Sequence, residues 1–149
     1  MINFVTDLDL LFVYGTLMRN AHNAHNPQAQ YLHQAATFLG SAHWQGRLYL
    51  VNYYPGAVPS ELAEEIVHGE LWTLTDPQTL ALLDQYEECS PRNPFPHEYI
   101  RSIETVWLGE QALNAWIYIY KRDTSGLKQI ASGNFRSKSL MDPVLNDSE

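Results

Sequence analysis

The chain is cut into short apolar and aromatic runs, each closed by glycine, proline or a polar stretch, a pattern suited to strands of modest length. Leu10 to Val13 is the first such run. Two more lie between Phe38 and Tyr53, where Gly46 divides a strand before it from a strand through Arg47 to Val51, and Tyr54-Pro55-Gly56 then turns the chain. Ser60 to Glu65 is an acidic connector with room for one helical turn, and Ile66 to Trp72 follows as a strand. Tyr99 to Trp107 and Ala112 to Tyr120 suit two strands of a hairpin joined through Leu108-Gly109-Glu110-Gln111.

Only two stretches read as helix. Asn26 is placed to cap one, with Pro27 at its first position and Gln28 to Ala35 as about two turns. Asp76 and Pro77 open the other, which runs to about Glu88 and stops at Ser90 to Pro96, where three prolines forbid continuation. The sum is an α+β fold: a curled, mostly antiparallel, barrel-like sheet with two main helices. We expect one domain over residues 1–149, with a polar tail frayed from about residue 137.

At 149 residues the chain can bury roughly two thirds of its unfolded surface without metals or disulfides. Nine Lys plus Arg against seventeen Asp plus Glu give a net charge of −8 with no basic cluster, which argues against nucleic acid as a partner. The N-terminus carries acids where a secretory signal carries positive charge, and no apolar stretch approaches the roughly 18 residues of a membrane span. With a single cysteine, Cys89, the expectation is a cytoplasmic protein that does not engage membranes. Oligomeric state leaves no trace in the sequence.

The first strand ends in Tyr14-Gly15-Thr16-Leu17. A glycine there can take positive φ at little cost, so successive N–H groups can turn inward around a carboxylate or an oxyanion. An ordinary strand-to-loop turn would use the same four residues. The second helix supplies a candidate acid. On a wheel of 100° per residue, Leu80, Leu82, Leu83 and Tyr86 define the core-facing side, with Asp84 and Gln85 on the polar side. Glu87 then lies roughly 70° from the apolar direction and Glu88 about 170° away. A carboxylate at the edge of an apolar stripe loses hydration and can titrate near neutral pH as a general base, so Glu87 is the candidate. It could equally be a boundary residue whose stem is covered and whose head is wet.

Other constellations are weaker. Cys89 and His97 share a proline-rich segment with no third partner for nucleophilic catalysis. His22, His25, His33 and His43 lack the cysteine or carboxylate companions of a zinc site, so no metal is expected.

Three fragments taken together, Tyr14-Gly15-Thr16-Leu17, Leu83-Asp84-Gln85-Tyr86-Glu87 and Ser132-Gly133-Asn134-Phe135, make the chain similar to the gamma-glutamylcyclotransferase-like family, which includes the AIG2-like proteins. Gly46-Arg47-Leu48-Tyr49, Tyr54 to Val58, Val67 to Leu71 and Ala115 to Tyr118 match in the same order. The resemblance implies a small barrel-like fold and a pocket in which the Tyr14 to Leu17 amides face the catalytic glutamate, Glu87. It implies cyclisation of a γ-glutamyl small molecule to 5-oxoproline with release of an amine or amino acid, without a cofactor. Tyr14, Gly15, Thr16, Leu17 and, by resemblance, Tyr118 would bind substrate. The alternative is a module that binds a small anionic γ-glutamyl-like ligand without turnover. Two features depart from the family pattern: the longer segment from Cys89 to Glu98 before Tyr99-Ile100-Arg101, and Asn134 and Phe135 where Asp and Trp are common.

Overall fold

The computed structural model describes residues 10–19, 27–76, 78–86 and 98–137. Seven strands and two helices follow one another as β1 (Leu10–Val13), α1 (Pro27–Ala35), β2 (Ala36–Leu50), β3 (Pro55–Pro59), β4 (Ile66–Leu74), α2 (Gln78–Tyr86), β5 (Tyr99–Leu108), β6 (Gln111–Tyr120) and β7 (Lys128–Gln129), with a 3-10 turn at Phe135–Ser137.

Five of the strands close on themselves. β2 pairs antiparallel with β4 from Ala36↔Leu74 to Gln45↔Ile66, and β4 pairs antiparallel with β1, setting Val13 opposite Glu70. β1 meets β6 in parallel at Leu11↔Trp116, β6 and β5 form the expected hairpin from Tyr99↔Tyr120 to Leu108↔Gln111, and β5 returns to β2 at His43↔Trp107. Closure removes the unpaired edges that a five-stranded sheet would otherwise expose. β1 is buried along its whole length, which explains why Leu10 to Val13 is uninterruptedly apolar instead of alternating.

β2 corrects the sequence reading most plainly, for it is one strand of 15 residues, not two. Gly46 sits inside it because the ring of Trp44 and the carbonyl of Val58 come within 2.6 Å of where a Cβ would stand. The strand changes partner at that glycine. Residues 36–45 belong to the barrel, whereas Gly46 to Leu50 pair with β3, and Tyr49 and Leu50 also pair with β7. Pro55 and Gly56, expected in a turn, open β3; the turn lies just before them, where Val51 N–H donates to the carbonyl of Tyr54 at 3.0 Å. Ser60 to Glu65 forms a turn without helix, closed by Glu65 N–H on the carbonyl of Leu62 at 3.1 Å.

The helices start where expected. α1 begins at Pro27, and Asp76 caps α2 by accepting Gln78 N–H on Oδ1 at 3.0 Å. The inward face of α2 differs from the wheel. Thr79 and Leu83 are buried, while Leu82 is 48% exposed. Asp84, expected toward solvent, turns to the barrel, because Arg101 offers it a two-pronged ion pair, Nε to Oδ1 at 2.8 Å and Nη2 to Oδ2 at 3.0 Å. Among the described residues, no helix is long and apolar enough to cross a membrane.

Candidate functional site

β1 delivers Tyr14-Gly15-Thr16-Leu17 to one mouth of the barrel, and Tyr14, Gly15 and Leu17 are each fixed by a different neighbour. The buried Tyr14 hydroxyl donates to the carbonyl of Tyr118 at 2.6 Å and accepts Ala57 N–H at 3.2 Å, tying the end of β1 to β6 and β3. Met18 N–H then closes a turn on the carbonyl of Gly15 at 3.0 Å. Gly15 is not in the left-handed region, contrary to the expectation of positive φ; only Gly109 and Gly133 are, among the described glycines. Its reason is space. A Cβ at position 15 would stand 2.7 Å from Cγ of Pro55, so glycine lets β3 approach the turn. The Leu17 carbonyl accepts the Nε2–H of His33 at 2.7 Å, and the His33 ring stacks on Trp72 with centroids 4.7 Å apart.

The residues behind the turn form a charged lock. Glu70 is fully buried, and its carboxylate accepts Arg19 N–H at 3.0 Å, Arg19 Nε at 3.3 Å, Trp72 Nε1 at 3.2 Å and Arg136 Nη1 at 3.1 Å. Two guanidiniums and an indole satisfy the desolvated acid, the condition under which such a burial is tolerated. Ser132-Gly133-Asn134-Phe135 serves this lock. Gly133 accepts His68 N–H at 2.8 Å, Phe135 is fully buried, and Asn134 Oδ1 accepts the N–H of Arg136 at 3.0 Å. An amide oxygen does this as well as a carboxylate, so Asn134 departs from the common aspartate without losing the contact seen here.

A cavity of about 180 Å³ opens at this end of the barrel. Residues 12–17 line one side, and Tyr53, Tyr54, Pro55, Glu98, Tyr99 and Tyr118 complete the wall. Tyr14, Gly15, Thr16, Leu17 and Tyr118 are thus brought to a single cavity. Glu87 lies outside the described residues, as do Cys89 and His97. The Tyr118 hydroxyl donates to Oδ1 of Asp84 at 2.8 Å, linking the cavity wall to α2. Tyr99 donates to the carbonyl of Pro55 at 2.7 Å, and Tyr54 donates to Oε2 of Glu98 at 2.6 Å. Burial, reinforced by that bond to Glu98, drives the Tyr54 phenol well above its usual value, so it remains a donor at neutral pH.

Glu98, Tyr53, Tyr54 and Tyr99 were not singled out by sequence. Their signals are slight: an acid directly before Tyr99-Ile100-Arg101, and a tyrosine doublet before Pro55-Gly56. Among the described residues no group of three or more His, Cys, Asp or Glu is arranged to hold a metal ion, and His33 is engaged by Leu17 and Trp72.

Comparison with known proteins agrees with the architecture. The family model for gamma-glutamyl cyclotransferase, AIG2-like, matches residues 11–137. The gamma-glutamylcyclotransferase family protein YtfP of Escherichia coli strain K12 is 34% identical over 126 residues, covering 84% of this chain and 94% of the relative. The solution structure of Escherichia coli YtfP superposes with a TM-score of 0.60 at 31% identity, covering 87% of this chain and 98% of that one. An AIG2-like protein from Mus musculus has the same fold, with a TM-score of 0.56 at 24% identity, over 79% of this chain and 90% of that one. A closed barrel, a match over nearly all described residues and a relative aligned over 94% of its own length together place this chain in the gamma-glutamyl cyclotransferase, AIG2-like family.

Proposed function

We propose that this protein is a γ-glutamyl cyclotransferase. The observation that carries the reading is the cavity where residues 14–17 face a tyrosine-rich wall at one end of the barrel. Its modest volume suits a small substrate folded back on itself, as ring closure demands. The α-amine nitrogen attacks the γ-carbonyl carbon, a C–N bond forms, the carbonyl oxygen gathers negative charge, and the bond to the departing amine breaks. One proton leaves the attacking nitrogen and one reaches the departing nitrogen. The products are 5-oxoproline and a free amine or amino acid. No net oxidation occurs, and the reaction needs no co-reactant.

Glu87 is the proposed proton carrier, base first and acid second, each role contributing on the order of 10² to 10⁴ in rate. In sequence it follows Leu83 by four residues and Asp84 by three, the spacings that share a helical face, and both of those residues turn toward the barrel. Main-chain N–H groups of Gly15, Thr16 and Leu17 are the proposed donors to the substrate carboxylate or the oxyanion, and losing an oxyanion donor costs roughly 3 kcal/mol. Holding amine and carbonyl together in a confined cavity contributes independently, because effective molarity rises steeply once the geometry is fixed.

The test is release of 5-oxoproline from γ-glutamyl amino acids, γ-glutamyl amines and glutathione by purified protein. Turnover of at least one, abolished by Glu87→Gln with the fold intact and spared by Glu88→Ala, is the expected result. Saturable ligand binding without 5-oxoproline, unaffected or strengthened by Glu87→Gln, would instead identify a binding module.

A further inference from the structure

Glu98 is the anomaly of the cavity. It lines the wall, is only 8% exposed, and the hydrogen bond its carboxylate receives among the described residues comes from a neutral group, the Tyr54 hydroxyl at 2.6 Å. The fold treats its other inward-facing acids differently. Glu70 holds Arg19 and Arg136, Asp84 holds Arg101 through two contacts, and the half-buried Glu65 holds Arg47. Among the described residues no Lys, Arg or His lies within ion-pair distance of Glu98. Buried charges are ordinarily paired, so an acid kept in a cavity wall with no cation beside it among the described residues marks a place where a cation is brought from outside.

The surroundings favour that occupant. Tyr53, Tyr54, Tyr99 and Tyr118 surround the space with rings whose faces attract positive charge. The hydroxyls of Tyr54, Tyr99 and Tyr118 donate to Glu98, Pro55 and Asp84 respectively, so their protons are already engaged. Glu98 is also held at the backbone, where its carbonyl accepts Lys121 N–H at 2.8 Å. The acid is therefore fixed in place by the protein's own groups.

We infer that Glu98, held by Tyr54, receives a primary ammonium group of the bound ligand. Taken with the cyclotransferase reading, on which only the identity of this ammonium rests, it is the α-ammonium of the γ-glutamyl group. The carboxylate accepts one N–H and a second proton passes to the base. The amine then keeps an N–H on Glu98 while its lone pair points at the γ-carbonyl. Glu98 thereby selects ligands that have a free amine over those that lack one.

The experiment is a calorimetric titration of the full chain with L-glutamate and with glutarate, which has the same carbon skeleton and both carboxylates but no ammonium. Wild type is expected to prefer glutamate by about tenfold or more, the size of one charge-assisted hydrogen bond. Glu98→Gln is expected to bring the two ligands within about twofold of each other, while Glu98→Asp, which keeps the charge, preserves a preference. Equal binding by wild type, or an undiminished preference in folded Glu98→Gln, overturns the assignment. Should Glu98→Gln fail to fold, Glu98→Ala takes its place with the same two ligands: loss of the preference supports the assignment and an undiminished preference counts against it. Turnover separates the two readings. Glutamate preference without 5-oxoproline release sinks the cyclotransferase reading and leaves the ammonium site standing. Release of 5-oxoproline with a KM unmoved by Glu98→Gln does the reverse, since loss of an ammonium contact should raise KM about tenfold with a smaller change in kcat.

Discussion

Tyr14 illustrates how one atom can join three strands. Its hydroxyl hydrogen goes to the Tyr118 carbonyl, its lone pair takes Ala57 N–H, and all three groups are buried. Tyr14→Phe removes both bonds while preserving the ring, leaving a carbonyl and an amide without their partner. The expected cost is about 1–3 kcal/mol, the penalty for unsatisfied buried polar groups, not the smaller net worth of one hydrogen bond. Urea unfolding of the two proteins checks it, and a change under a few tenths of a kcal/mol would mean that water replaces the hydroxyl. This role was not legible in the sequence. Tyr14 could be recognised as the start of a motif, but its partners lie 43 and 104 residues away. At Gly15 local sequence displays glycine's freedom in φ, whereas the constraint comes from Pro55 on another strand.

Elements show where periodicity suffices and where it fails. The β5–β6 hairpin was legible because strand alternation and the turn around Gly109 are local properties, and Gly109 does adopt φ of 62°. β2 at Gly46 and α2 at Asp84 differ from the sequence reading because a group on another strand decides: Val58 in one, Arg101 in the other. The two left-handed glycines give a paired prediction. Gly109 faces open space, so Gly109→Ala should cost only the left-handed backbone penalty of about 1–2 kcal/mol. At Gly133, with φ of 70°, a Cβ would stand 1.8 Å from the carbonyl oxygen of Ile66. Gly133→Ala must displace the bond from His68 N–H as well, and should be clearly the worse of the two in thermal unfolding. Across the same β2–β4 ladder, His43 and His68 are directly paired. Partial desolvation on the sheet face, then the neighbouring His43, holds His68 below the usual histidine range, so the folded state prefers it neutral. Its contribution is complete above about pH 6.5 and is lost as pH falls through the folded value. Stability measured by denaturation should therefore decline on acidification below that range, and His68→Gln should flatten the decline. An unchanged slope in the variant would assign the decline to other groups.

At the scale of the molecule, the question is what keeps α2 registered against the barrel, because its last described residue, Tyr86, immediately precedes the proposed proton carrier. The connection is compact. Asp84 takes both prongs of Arg101 from β5 and the Tyr118 hydroxyl from β6, and Arg101 in turn lies over the Trp116 ring at 4.2 Å. Tyr118 also lines the cavity and accepts Tyr14, so helix, hairpin and the 14–17 turn share one chain of bonds. Lysine at position 101 would keep the charge but lose the fork and the stacking surface. Arg101→Lys is expected to lower stability by roughly 1–2 kcal/mol, the scale of a lost hydrogen bond to a partly buried charge. The Arg47–Glu65 pair, more exposed than the Arg101–Asp84 pair, is a control for charge alone, and Arg47→Lys should leave unfolding nearly unchanged. If the link also positions the end of α2, Arg101→Lys should depress kcat for 5-oxoproline formation while glutamate binding in the cavity changes little. A variant that loses stability yet retains full kcat would show that α2 is held in register by its apolar face, through Leu83, without help from Asp84.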